Sequence, residues 1–253
     1  MSIYITGDTH SNFFNKFSKY AFPEQVELTR DDYVIILGDF GGVWYNEDSD
    51  DIIRENYWLD WLENKPYTTL FVCGNHENFN RLYKYPVKEF AGGLVHEIRP
   101  HVLHLMRGEI FNLQGYSFFV FGGASSHDIQ DGILNPDEVD KIALWHHQNR
   151  MFRVRDVSWW DLEMPTQEEM QHGIENLRKH NFKVDFVLSH CAPQNVVSFF
   201  SHGLYKSDIL TTYFDELIEQ GLKFNAWVFG HYHDDKKILG KYIMLYEQIV
   251  RII

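Results

Sequence analysis

The chain has 253 residues, of which 44% are hydrophobic and 16% aromatic, enough for one sizeable core, and its 23% of charged residues gives no sign of wholesale disorder. Its 23 basic and 36 acidic side chains leave a formal charge of −13, a field that repels a phosphate backbone and disfavours stable nucleic-acid binding. Two cysteines, Cys73 and Cys191, form no disulfide framework, and neither a leader segment nor an apolar run near the ~18 residues of a membrane helix is evident, so a soluble cytoplasmic protein without a membrane partner is expected.

One pattern recurs along the chain. The apolar run Ile3–Gly7 ends in Asp8-Thr9-His10, and Tyr33–Gly38 ends in Asp39. A helix is predicted over Asp51–Glu63 from Ile52, Ile53, Leu59 and Leu62 with charges between them. Leu70–Gly74 then delivers Asn75-His76-Glu77. Strand-like runs cover Val95–Arg107 and Glu109–Phe121, with a hairpin at Gly115, and Gly122–Asp128 reads as a loop that could face a substrate. Residues 126–165 are the least regular and read as an insertion or lid. Thr166–His180 opens with the Thr166/Glu169 capping signal of a helix. Phe186–Ser189 ends in His190, a helix is expected over Ile209–Gly221, and Ala226–Gly230 ends in His231-Tyr232-His233. A hairpin at Gly240 lies within the last strand-like run, Lys237–Ile253.

Short continuous apolar runs are strands covered on both faces, and their alternation with helical patterns implies a layered α/β domain. A single domain over residues 1–253 is expected, with the insertion at about 126–165. In such sheets ligands gather at the carboxyl ends of strands. If the five runs share a sheet and a direction, their Asp, Asn and His side chains meet at one rim.

Carboxylate, imidazole and amide oxygen together suit divalent metals, and the lack of thiolate clusters argues against structural zinc. Seven donors are too many for one ion and fit two ions sharing a carboxylate. Two cations about 3.5–4 Å apart stabilise the attacking and leaving oxygens of an in-line displacement and acidify a bound water. A small anionic substrate would be held by such ions, or by arginines such as Arg81, Arg150, Arg153 and Arg155.

Asp8-x-His10, Gly38-Asp39, Gly74-Asn75-His76-Glu77, His190 and Gly230-His231-x-His233 occur in this order from residue 7 to residue 233. Together they resemble the calcineurin-like metallophosphoesterase superfamily. The resemblance implies a four-layer αββα sandwich of two mixed β-sheets flanked by helices. It implies Asp8, His10 and His233 on a first metal, Asn75, His190 and His231 on a second, and Asp39 bridging them. His76 would be the general acid that protonates the leaving alkoxide after attack by a metal-bridging hydroxide. The cofactor expected is a pair of divalent ions, manganese first among Mn, Fe, Zn, Ni and Co, and the partner a small phosphorylated substrate, monoester or diester.

The pattern departs from the protein serine/threonine phosphatases of that superfamily. Gly38-Asp39-Phe40 continues as Gly41-Gly42-Val43-Trp44, so the acid that orients the histidine and the arginine that clamps phosphate are missing. Asp128 or a backbone carbonyl is a candidate to orient His76. Asp8, Asp39 and Asn75 taken singly read as ordinary turn residues, and only their combination with downstream histidines outweighs that reading. Cys73 and Cys191 read as small buried hydrophobes. Trp145, Trp159 and Trp160 read as packing. A non-catalytic scaffold on the same fold would have lost ligands, and none is lost. A nuclease conflicts with the charge, and the His-x-His-x-Asp-His cluster of lactamase-type hydrolases is absent.

Overall fold

A computed structural model describes residues 1–253. Strands β1 (Ile3–Thr6), β2 (Tyr33–Leu37), β3 (Thr68–Val72), β4 (Val87–Phe90), β5 (Gly93–Arg99) and β6 (Val102–Leu105) come first, interrupted by helices α1 (Phe13–Phe17), α2 (Ile52–Glu63) and α3 (Phe79–Leu82). β7 (Ile110–Leu113) and β8 (Tyr116–Phe121) lead into a segment holding β9 (Gly132–Leu134), α4 (Val139–His147) and β10 (Phe152–Val154). Then come α5 (Gln167–Lys179), β11 (Phe186–Ser189), α6 (Gln194–Ser201), α7 (Ile209–Glu219) and β12 (Ala226–Phe229). The last strands are β13 (Lys236–Ile238), β14 (Tyr242–Met244) and β15 (Ile249–Arg251).

One sheet has the order β15-β1-β2-β3-β6-β5-β4 and the other β13-β14-β12-β11-β8-β7. Both are parallel at their centres and antiparallel at their edges. The period-2 geometry of a strand explains why these runs have no polar face. Ile3, Ile5, Ile35 and Leu37 pack with Phe118, Val120, Leu188 and Val228 between the sheets. The alternate residues Tyr4, Val34, Ile36 and Phe71 pack outward with Phe13, Phe17, Leu59 and Leu62 of α1 and α2. On the far side Phe119, Phe121, Val187 and Trp227 meet Leu177, Val197, Phe214 and Leu217 of α5, α6 and α7. The result is the four-layer αββα sandwich.

Three details differ from the sequence-based expectation. The five donor-bearing runs do not share one sheet: β1, β2 and β3 lie in the first, β11 and β12 in the second. An apolar run reports burial on both faces, and burial does not specify which sheet a strand joins. Val95–Arg107 is not one run, because the chain turns at Pro100-His101 and β5 pairs antiparallel with β6. Residues 126–165 are also more regular than expected, since β9 and β10 form a parallel ribbon with α4 between them. The Thr166/Glu169 capping box is formed, with Thr166 Oγ1 accepting from Glu169 N at 3.1 Å. The Gln114-Gly115 and Leu239-Gly240 turns carry the paired positive φ angles that tight hairpins need.

His96 on β5 faces His104 on β6, their rings stacked 5.2 Å apart and their Nδ1 atoms 3.0 Å apart. Both are buried, so one neutral ring donates to the other. Burial lowers His96 to about 4, and burial, with help from His96 and Arg107, holds His104 well below its usual value. A base with a depressed folded-state pKa stabilises the fold above the unfolded value of 6.5 and loses that stabilisation as pH falls toward 4. Chemical denaturation at pH 7 and pH 5 should therefore show His96→Gln losing less stability than the wild type, by roughly 1–2 kcal/mol. Identical losses would contradict this account.

Candidate metal centre

The loops that follow β1, β2, β3, β11 and β12 are bonded to one another. Thr9 N and His10 N donate to Asp39 O at 3.1 and 2.8 Å, joining the ends of β1 and β2. His76 N donates to Asp39 Oδ1 at 2.8 Å, which brings in β3. From the second sheet, His190 Nδ1 donates to Leu37 O at 2.6 Å, Gly230 N to His190 O at 3.0 Å, and His231 N to Asp8 Oδ1 at 3.0 Å. The two sheets thus share a single rim.

Two of the glycines that precede donors have a steric cause. A Cβ on Gly38, whose φ is +94°, would strike the His190 ring, and one on Gly74 would strike both the carboxylate and the backbone nitrogen of Asp39. The donors themselves are held in unusual backbone. His10, Asp39, His231 and His233 all have positive φ, at 42°, 43°, 69° and 51°. Non-glycine residues in this region are uncommon and carry strain on the order of 1–3 kcal/mol each, which concentrates at functional sites.

Side chains converge accordingly. Asp8, His10 and His233 form one donor group, with His10 Nε2 3.2 Å from His233 Nε2 and His233 Nε2 3.0 Å from Asp8 Oδ2. Asp39 places Oδ2 3.6 Å from His10 Nε2 and Oδ1 3.3 Å from His190 Nε2, so its two oxygens face two different groups. Asn75 Oδ1 lies 3.3 Å from His190 Nε2. Because His190 Nδ1 is engaged by Leu37, its Nε2 is the open nitrogen. His231 stands beside this second group, its ring 4.8 Å from that of His190, with its Nε2 turned toward His127. His76 packs edge-on to His10 at 5.2 Å, 4.0 Å from Asp39 Oδ2, and lines two cavities of about 230 and 200 Å³.

The donors fit a pair of divalent cations. Adjacent donors on a sphere of roughly 2.1 Å radius lie about 3.0–3.5 Å apart, close to the 3.0–3.6 Å found here among Asp8, His10, His233, Asp39, His190 and Asn75. Asp8 Oδ2 is buried without a hydrogen-bond donor of sound geometry. Burial opposes ionisation of Asp39, yet His190, His76 and His10 hold its carboxyl well below the usual range. Burial likewise opposes charging of His190, but Asp39 and Asp8 outweigh it and raise His190 to about 9. The site therefore draws in positive charge. Burial lowers His10 and His231, which favours the neutral form that binds metal, whereas the hydrogen bond to Asp8 raises His233. No thiolate competes: Cys73 and Cys191 are buried and unpaired, and burial pushes Cys73 up to about 11.

Several supporting residues carried no sequence signal of their role. Asn75 Nδ2 donates to Ser126 Oγ at 3.2 Å, and Ser126 Oγ donates to Glu163 Oε2 at 2.6 Å, which turns the Asn75 oxygen toward His190. Buried Glu77 accepts from Phe40 N at 2.8 Å. Lys16 Nζ donates to Asp8 O at 2.8 Å. Asp128 does not bond His76: its Oδ2 is held by Arg153 Nε at 2.8 Å and by Arg153 Nη2. The other arginines are paired as well. Arg81 is no surface clamp but is buried against Glu55 Oε1 at 2.6 Å, Arg150 bonds Asp131, and Arg155 bonds Asp161. Trp159 and Trp160 are buried packing residues.

Gly74→Ala should lower stability by about 1–3 kcal/mol in denaturant titrations of metal-free protein, because either β3 or the Asp39 loop must move. An unchanged midpoint would show that the contact is not constraining.

A family model described as calcineurin-like phosphoesterase matches residues 1–235. Among solved structures, the phosphopantetheinyl hydrolase PptH from Mycobacterium tuberculosis aligns over 97% of this chain and 90% of its own, at 15% identity and a TM-score of 0.45. No curated protein sequence matches. No helix is long and apolar enough to cross a membrane.

Proposed function

The chain belongs to the calcineurin-like phosphoesterase family and is a hydrolase of ester bonds, and from that premise we propose that it cleaves a small phosphomonoester or phosphodiester at the rim described above. Asp8, His10 and His233 would hold one divalent cation, Asn75, His190 and His231 the other, and Asp39 both. When bound, such a pair neutralises phosphate charge and acidifies water to give a nucleophile near neutral pH. Manganese is the first candidate among the ions this donor set accepts.

The chain's own residues do the rest. The Leu37 carbonyl fixes the His190 tautomer, and Ser126 with Glu163 fixes the Asn75 amide. Asp39 is locked by the His76 N–H and by its left-handed backbone. His76 stands at the edge of the donor cluster with its ring against Trp44, 5.8 Å away. From there it would protonate the leaving alkoxide. Residues 126–165 would act as the lid of a single domain spanning 1–253. Two unpaired buried cysteines agree with a cytoplasmic setting.

The observation that carries this reading is Asp39, whose two oxygens face two separate donor groups at 3.6 and 3.3 Å. All seven donors and His76 are retained, which disfavours a non-catalytic scaffold. With Mn²⁺, the protein should hydrolyse p-nitrophenyl phosphate or its bis ester. His76→Asn should lower kcat by roughly 10²–10⁴ while metal content, measured by mass spectrometry, stays unchanged. Protein shown to carry two metals yet inert toward both esters would refute the proposal. A fully active His76→Asn would remove the role given to that residue.

A further inference from the structure

We propose that His127 is an additional nitrogen donor to the second cation, beside Asn75, His190 and His231. This rests on the dimetal reading above. β8 is the central-sheet neighbour of β11, parallel to it and in register, Phe121 opposite Ser189. The loop after β8 therefore opens on the same rim as His190, although it carries none of the seven donors. Gly123 N donates to Cys73 O at 2.7 Å, tying that loop to the end of β3.

Within this loop His127 Nε2 lies 3.3 Å from His231 Nε2. That is nearly the 3.2 Å between His10 Nε2 and His233 Nε2, the donor pair on the other side of the centre. Two imidazole nitrogens at this distance are placed as neighbouring corners of one coordination sphere. The His127 ring is held on Tyr205, stacked at 4.6 Å, and meets the His231 ring edge-on, also at 4.6 Å. Its position is linked to another donor as well. The preceding residue, Ser126, accepts from the Asn75 amide at 3.2 Å and is itself anchored by Glu163 through both N and Oγ. His127 also borders the 230 Å³ cavity shared by Asp39, Asn75 and His231.

The competing role is an outer one, in which His127 only hydrogen-bonds His231. His127→Gln separates the two, because glutamine keeps a hydrogen-bonding partner and loses the imidazole donor. Metal-free wild type, His127→Ala and His127→Gln are titrated with Co²⁺ by calorimetry, and their visible cobalt absorption is recorded. Both variants should bind the first cation as the wild type does and the second more weakly by more than the roughly tenfold to hundredfold that loss of an outer partner costs, with an altered spectrum. If His127→Gln binds both ions with wild-type affinity and spectrum, the direct role is overturned. If the wild type itself takes up fewer than two ions, the dimetal reading fails and His127 falls with it.

Discussion

Everything at this rim depends on the mutual repulsion and shared attraction of two buried carboxylates. Asp8 and Asp39 are only 2% exposed and are brought close to the same imidazoles. Two such charges in a low-dielectric interior are costly unless cations compensate them. Within the chain itself His190 supplies part of that compensation, its pKa raised to about 9 by Asp39 and Asp8 against the opposing effect of burial. A proton on one ring is a poor substitute for two divalent ions, because Asp8 Oδ2 is then left with only the His233 ring beside it, at 3.0 Å. The site is thus an electrostatic trap for cations, and the fold maintains its shape.

Maintaining that shape requires two sheets. Within one parallel sheet the strand ends line up in a row, whereas the facing edges of a sandwich enclose a volume. β1, β2 and β3 present donors from one side and β11 and β12 from the other, and the bonds from His190 to Leu37 and from His231 to Asp8 lock the sides together. The left-handed backbone at His10, Asp39, His231 and His233 is local strain that the inter-sheet core must outweigh. Glycines at 38 and 74 are needed because a donor from another strand occupies the space where their side chains would be.

Much of this was legible in the sequence because each donor follows directly on a short apolar strand, a local signal. Asp8, His10, Asp39, Asn75, His190, His231 and His233 all lie within four residues of a strand end. What was not legible depends on contacts remote in sequence. The division of the strands between two sheets leaves no trace in an apolar run. Ser126 acts through Asn75, 51 positions away, and Glu163 acts through Ser126, 37 positions away. His127 sits six residues past β8, beyond the reach of the strand-end pattern. Arg81 resembled a surface cation until its burial against Glu55 became visible, since only packing distinguishes the two. The insertion hid its helix and ribbon because α4 buries none of its residues and so lacks a clear apolar face.

The most direct measurement is anomalous diffraction from crystals of the protein grown with Mn²⁺. Two manganese peaks about 3.5–4 Å apart, with one Asp39 oxygen close to each or a single oxygen between them, are the predicted result. A single peak, or a pair of peaks with Asp39 touching neither, would contradict it.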